Sequence, residues 1–427
     1  MAVARKRKRK RAEGRLPLRR TASVLTSLAA IVTTALVAGP ATAVAARGVC
    51  ALPRTEAHHS EGVNSWDPSY PRPDHEVDAL MLFLSFPEWE PMVTTGSLVR
   101  DHFPATSDFF SRASYGSFSL AVHPRRQWIE MPADSTSYGI QRDWDPALRG
   151  AYLHDALTAA DPHVDFSDYD VVYLVADPDA PGVNSDATKV VNFEQPTVLD
   201  GREVQRVVTV FERHPPDRYV LAHETGHLFD LPDLYHRPAE GSADWDTYVG
   251  DWDVMGSQFG LAPDLLGWHK RKLGWLADRH VECVRTSSTG TSGHTLRALG
   301  APLGPRSGGR PDTRLLVVRT GPYEALAIEA RAPVGNDTGM CTSGVLVYRV
   351  RSDADSAEGP VEVVDGHPET TACRRSSVYP PLADAPLGAG EELVLEDGGG
   401  VRIRVGDGGA AGGGWSVQIT RGSTALE

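Results

Sequence analysis

Residues 221–235 read LAHETGHLFDLPDLY, and the arrangement of His, Glu and Asp within them decides how the rest of the chain is read. His223 and His227 are four residues apart, which on a helix places both rings on one face, with Glu224 beside them. Neutral imidazoles at that spacing suit zinc, and a carboxylate next to such an ion can take a proton from an attacking water. Short patterns of this kind also arise by chance on amphipathic helices, so the flanking sequence has to arbitrate.

Two geometries compete for the third metal ligand. In a thermolysin-like arrangement it is a glutamate on a later helix, some twenty residues or more beyond the second histidine. Here Glu240 comes too early and Glu282 lies beyond the apparent end of the domain. In a metzincin-like arrangement the helix ends in a turn, and the ligand follows six residues after the second histidine. That position is Asp233, and Pro232 before it blocks continuation of the helix. His236, Asp244 and Asp246 are looser alternatives. The turn residue is Asp230 where glycine is usual; aspartate tolerates left-handed backbone better than most residues, at some cost in strain. Further on, VGDWDVMGSQFG (249–260) carries Met255, placed to form the methionine turn beneath such a metal. Tyr235 or Tyr248 could steady a tetrahedral intermediate, although packing is the commoner role for tyrosine. Asp244, Asp246, Asp251 and Asp253 would be the calcium candidates, but no calcium-loop pattern is met and a solvated loop is expected.

Around this stretch the chain changes texture. ALMLFLSF (79–86), DYDVVYLVADP (168–178) and VQRVVTVF (204–211) read as buried strands. Residues 106–116 and 145–161 read as helices between the first two, giving an α/β or α+β core. Pro215, Pro216 and Asp217 fit the entrance of the helix that carries the histidines. From about residue 281, LLVVRT, ALAIEA, GVLVYRV, VEVVD, ELVLED, VRIRVG and WSVQIT are short β-type runs between Gly, Pro and Asp clusters. They indicate a sandwich-like β-rich module, with GGAAGGGW (408–415) as a hairpin connection. The organisation expected is a signal peptide over 1–46, a lead-in over 47–75, a catalytic domain over 76–280 and a β-rich domain over 281–427.

The first twenty residues hold ten Lys or Arg, and an uncharged run from Thr21 to Ala46 follows them. A basic stretch, an apolar stretch and a small-residue exit, at Ala41-Thr42-Ala43 or Val44-Ala45-Ala46, make an export signal. The whole chain has 43 basic and 56 acidic side chains; ten and one of these fall in residues 1–46, so the remainder carries 33 against 55, a net charge of −22. Such a chain repels nucleic acid and anionic membrane. Its partners are expected to be protein or peptide substrates, without stable membrane association. Four cysteines in an exported chain predict two disulfides. Nearness favours Cys341 with Cys373, leaving Cys50 to Cys283; the sharper alternative makes Cys50 a metal-capping latency switch.

With these residues in view, the chain resembles the secreted metalloproteases of the immune inhibitor A family. The resemblance runs through HETGHLFDLPDLY, WDVMGS and PDLLGWHKRKLGWL (263–276), upstream through FFSRASYGSFSL (109–120) and DFSDYDVVYLVADP (165–178), and downstream through 325–350. It implies a metzincin-like domain followed by a β-rich region, one catalytic zinc held by His223, His227 and Asp233, and Glu224 as catalytic base. The exported proteases related to snapalysin show a similar histidine, histidine, aspartate set. The activity implied is endopeptidase cleavage of extracellular proteins through a metal-activated water. The alternatives are an exported binding protein with an inactive metalloprotease fold and a zinc hydrolase of non-peptide substrates.

Overall fold

A run of apolar residues with no polar alternation can be satisfied in a sheet only where both faces are covered, and the strand over residues 79–86 shows this directly. The computed structural model describes residues 50–422 except 218, 239–243, 285–289, 305–311, 397–399 and 410–413. The expected signal peptide and Glu240 lie outside the described residues. The first strand, β1 (Glu76–Ser85), ends in seven consecutive buried residues. It pairs in parallel with β2 (Ser119–Glu130) on one side and β3 (Val171–Ala176) on the other. A fourth strand, β4 (Lys189–Leu199), is antiparallel to β5 (Arg202–Val210), which itself runs parallel to β3. The sheet order is β2-β1-β3-β5-β4.

The three expected strands are thus the three central ones. The two edges are missing from the sequence reading for a physical reason. β2 is largely solvent-facing and holds Pro124, while β4 holds Pro196 within an irregularity between Asn192 and Thr197. Proline cannot donate to a ladder and is tolerated at edges and bulges. Among the helices, α1 (Thr95–His102) was not expected, whereas α2 (Ala105–Ala113) and α3 (Pro146–Ala160) were. α3 has Pro146 in its first turn and Asp145 accepting from the Ala147 and Leu148 N–H groups. The helix of the motif, α4 (Val220–Leu228), is buried at every residue except His227. Its entrance differs from expectation: Tyr219, at φ 61°, precedes the first turn and no side chain caps it. Asp217 instead accepts from Gln258 through its carboxylate. A short fifth helix, α5 (Gly267–Lys272), is wholly buried despite the sequence GWHKRK.

The remaining strands form two further sheets. One has the order β11-β10-β9-β8-β6, built from β6 (Val281–Val284), β8 (Leu315–Arg319), β9 (Glu324–Arg331), β10 (Gly344–Arg351) and β11 (Val361–Val363). The other, β12-β13-β14-β7, combines β7 (Gly290–Leu296), β12 (Glu392–Leu395), β13 (Val401–Gly409) and β14 (Gly414–Arg421). Gly409 faces Gly414 across an antiparallel pair, and residues 410–413 of the connection expected at 408–415 lie outside the described residues. Alternation assigns the two faces of β8 to different cores. Leu316 and Val318 pack against Ile403, Val417 and Trp415 of the other sheet, as in a sandwich. Leu315 and Val317 join Leu221, Met255 and Trp268 in the core beneath α4. The architecture is mixed α/β, with sheet predominating. Among the described residues no helix is long and apolar enough to cross a membrane.

The disulfides are Cys50–Cys283 and Cys341–Cys373, the pairing that nearness favoured. Cys50 is buried and bonded, so it is not a latency ligand. Residues 51–75 are part of the structure: Leu52 and Val63 sit in the core, and Glu61 is fully buried. Glu61 Oε1 lies 2.7 Å from His269 Nε2 while Asp253 Oδ2 lies 2.8 Å from Nδ1, so the ring donates from both nitrogens and carries a charge. Burial opposes that charge, but the two carboxylates outweigh it and raise His269 to about 10. A pKa raised on folding stabilises fully below the unfolded value of about 6.5 and is lost as pH climbs through the folded one. The urea midpoint of the wild type is therefore predicted to fall between about pH 6.5 and about pH 10. His269→Gln, less stable at neutral pH, should lack that part of the fall; parallel pH profiles for the two proteins would contradict it.

Candidate metal centre

The helix α4 presents His223 and His227 one turn apart, as the four-residue spacing requires. His223 Nδ1 lies 2.9 Å from the Val254 carbonyl and His227 Nδ1 lies 2.8 Å from that of Leu231. A carbonyl can only accept, so each Nδ1 carries the hydrogen and each Nε2 is left to face inward. The two Nε2 atoms are 3.3 Å apart. Asp233 Oδ1 lies 3.3 Å from the first and 3.1 Å from the second. It is buried and makes no hydrogen bond.

The fit to a metal can be judged from these distances alone. Three electron-pair donors face one another at 3.1–3.3 Å. Zinc bonds of about 2.0–2.1 Å in a tetrahedral arrangement set ligand atoms roughly 3.3–3.4 Å apart. The donor set, two imidazoles and one carboxylate, is one that zinc accepts with a fourth position open. Electrostatics agrees. Burial pulls His227 down, but the charge of Asp233 reverses this and lifts it to about 9, and contact with Asp233 likewise raises His223. Burial would raise Asp233, yet the two rings hold it well below the usual carboxylate range. The pocket favours a positive charge at the point where the three atoms meet. Among the described residues this triad is the one His, Cys, Asp and Glu cluster with metal-ligand geometry.

Glu224 lies on the same cleft, and its Oε2 accepts the Val190 N–H of β4 at 2.9 Å. Burial raises its pKa, against the pull of the two histidines, which is the direction a proton acceptor and donor near neutral pH needs. Met255 sits under the helix. A Cβ on Gly226 would meet its Sδ at 2.4 Å, so only glycine permits this approach. The Met255 carbonyl also accepts the Leu234 N–H at 2.9 Å, which ties the turn to the loop holding Asp233.

The other candidates separate cleanly. Tyr235 lines the cleft and stacks on His223, with centroids 6.3 Å apart. Burial and the neighbouring Asp233 and Glu224 charges push its phenol far up. Tyr248 points elsewhere, with its hydroxyl 3.0 Å from His236 Nδ1. His236, Asp244 and Asp246 are outside the three-atom cluster, and Glu282 pairs with His294 in the β-rich half. The solvated-loop expectation fails for Asp251 and Asp253, which are buried acceptors. Asp251 takes the Leu261 N–H and Ser377 hydroxyl; Asp253 takes the Met255 and Leu266 N–H groups and His269. Their oxygens are spent on loop geometry rather than on calcium.

No family model matches the chain, and no curated protein matches it.

Asp230 is the residue whose role the sequence obscured most. Its φ is 64°, the left-handed geometry expected of the turn. Its side chain, however, is completely buried between two cations, Arg54 and Lys272, and the imidazole of His59, which burial holds neutral at a pKa of about 4. Arg54 Nη1 donates to Oδ2 at 2.5 Å, His59 Nδ1 lies 3.1 Å from Oδ1, and Lys272 Nζ is 3.7 Å from Oδ2. His59 then stacks on His227, at 5.6 Å between centroids. The aspartate therefore fastens residues 54–59 and α5 to the turn between His227 and Asp233. A merely strained turn would gain stability from Asp230→Gly, because glycine adopts positive φ at no steric cost. The ion pairs predict the opposite: a loss on the order of 1.5–3 kcal/mol, because Arg54 and Lys272 each lose a charged partner while keeping Asp67 and Glu61 respectively. Urea unfolding of wild type and Asp230→Gly distinguishes the two, and a variant at least as stable as wild type contradicts the latch.

Proposed function

We propose that the chain is an exported zinc-dependent endopeptidase with a metzincin-like catalytic unit, akin to the immune inhibitor A proteases. The observation that carries this reading is the convergence of His223 Nε2, His227 Nε2 and Asp233 Oδ1, with Glu224 on the same helix and cleft. Met255 beneath α4 and a sheet whose edge strand β4 is its only antiparallel member fit the same reading. The two disulfides suit an oxidising, extracellular setting.

When bound, zinc supplies a Lewis acid that polarises the scissile carbonyl and makes the attacking water acidic. Glu224 accepts the proton of that water and returns it to the leaving amine. The Val190 N–H keeps one carboxylate oxygen pinned, so the other is aimed at the cleft. Among the described residues β4 is paired on one side only, and Lys189, Val190 and Asn192 border the cleft. An extended peptide can lie along such an edge by main-chain hydrogen bonding, which favours peptide over non-peptide substrates. Tyr235, beside Asp233, is the cleft residue that can donate to a developing oxyanion.

An exported binding protein with an inactive fold has no chemical use for a buried carboxylate held at that place. The test is cleavage of casein, with zinc content assayed alongside. Glu224→Gln should retain zinc and lose about 10²–10⁴-fold in rate. Asp233→Ala should bind zinc more weakly and lose activity. A wild type that holds zinc and cuts nothing contradicts the protease reading and favours the binding protein.

A further inference from the structure

The carboxylate of Asp233 is held in place from the β-rich half of the chain. Residues 352–359 form a loop between β10 and β11 that reaches the cleft. Ser356 uses one hydroxyl twice: it donates to Asp233 Oδ2 at 3.2 Å and accepts the Asp233 N–H at 2.8 Å. Next to it, the Ala357 N–H donates to the Asp233 carbonyl at 3.0 Å. Ala357 adopts φ 65°, an unfavourable geometry for alanine that turns the chain back at this point. The loop is braced in turn by the segment that carries His58 and His59. Ser356 N–H donates to the His58 carbonyl at 3.2 Å, and His58 N–H donates to Asp355 Oδ1 at 2.7 Å. Thr55 and Ser60 hydroxyls both donate to the Ser352 carbonyl, at 2.5 and 2.6 Å.

These contacts define which oxygen of Asp233 is available. Oδ2 is engaged by the hydroxyl, so Oδ1 alone is turned toward the two Nε2 atoms. An aspartate after a proline at a helix exit would otherwise be free to rotate about its side-chain torsions and to present either oxygen, or both. Hydrogen bonds to a ligand carboxylate fix its orientation, and removing them weakens metal binding by about 10–100-fold.

We propose that Ser356 is a positioning residue of the metal centre, which makes the β-rich half a working part of the site. The inference rests on the reading of His223, His227 and Asp233 as metal ligands. Its test uses the full chain without its signal segment, as wild type, Ser356→Ala and Ser356→Thr. Zinc affinity is measured by competition with a chromophoric chelator, and the visible spectrum is recorded after loading with cobalt. Ser356→Ala should bind zinc about 10–100-fold more weakly and show an altered cobalt spectrum. Ser356→Thr, which keeps the hydroxyl, should return both toward wild type. The metal-free urea midpoint of Ser356→Ala should fall only modestly, through the acceptor lost to the Asp233 N–H, so the cobalt spectrum is the readout that separates positioning from folding. Equal zinc affinity in wild type and Ser356→Ala overturns the inference alone. So does a loss of affinity that matches a loss of metal-free stability and is not restored by threonine. A wild type that binds no zinc removes the metal centre and this inference together.

Discussion

Two imidazole lone pairs and a carboxylate oxygen, all within 3.3 Å of one another and largely shielded from water, form an arrangement that repels itself unless positive charge lies among them. Much of the surrounding structure holds that arrangement in place. Each histidine is fixed by the hydrogen bond its other nitrogen gives to a carbonyl. Val254 supplies one such carbonyl and Leu231 the other, so the methionine turn and the ligand loop each orient a ring. The cost of assembling like-behaving groups is met by cooperation between segments far apart in the chain.

Those segments meet at the turn between His227 and Asp233. Residues 54–59, tethered by Cys50–Cys283, reach it through Arg54 and His59. α5 reaches it through Lys272, and the β10–β11 loop through Ser356. The lead-in and the β-rich half are therefore built into the walls of the cleft. Both faces of the β11-β10-β9-β8-β6 sheet are committed to packing, one to the sandwich and one to the core under α4. A chain cut at residue 280 would expose the second face and lose the loop that grips Asp233.

How much of this was legible in the sequence follows from where each signal lies. β1 and β3 are buried on both faces and read as apolar runs, and β5 is buried in the same way only over Val207–Val210. β2 and β4, at the edges and carrying prolines, have no such pattern. His223, Glu224, His227 and Asp233 fall within eleven consecutive residues, and a helix followed by a turn relates them by spacing alone. Their supports do not. Arg54 and Ser356 contact Asp230 and Asp233 across 176 and 123 residues, and no local periodicity encodes a contact of that range. Asp230 shows the division within one residue: tolerance of left-handed backbone is a property of aspartate, whereas its buried counter-charges are a property of the fold. The proline pair at 215–216 misled in the opposite sense, because a left-handed Tyr219 separates it from the first turn of α4.

Whether His223, His227 and Asp233 share one ion is tested with least dependence on substrate by X-ray absorption at the zinc edge. Residues 47–427, dialysed and loaded with one equivalent of zinc, should show two imidazole nitrogens and one carboxylate oxygen at about 2.0–2.1 Å, with one further light ligand. In Asp233→Ala the carboxylate contribution should vanish while both imidazoles remain. Zinc removed by dialysis, or a wild-type spectrum without two imidazoles, would contradict the metal centre.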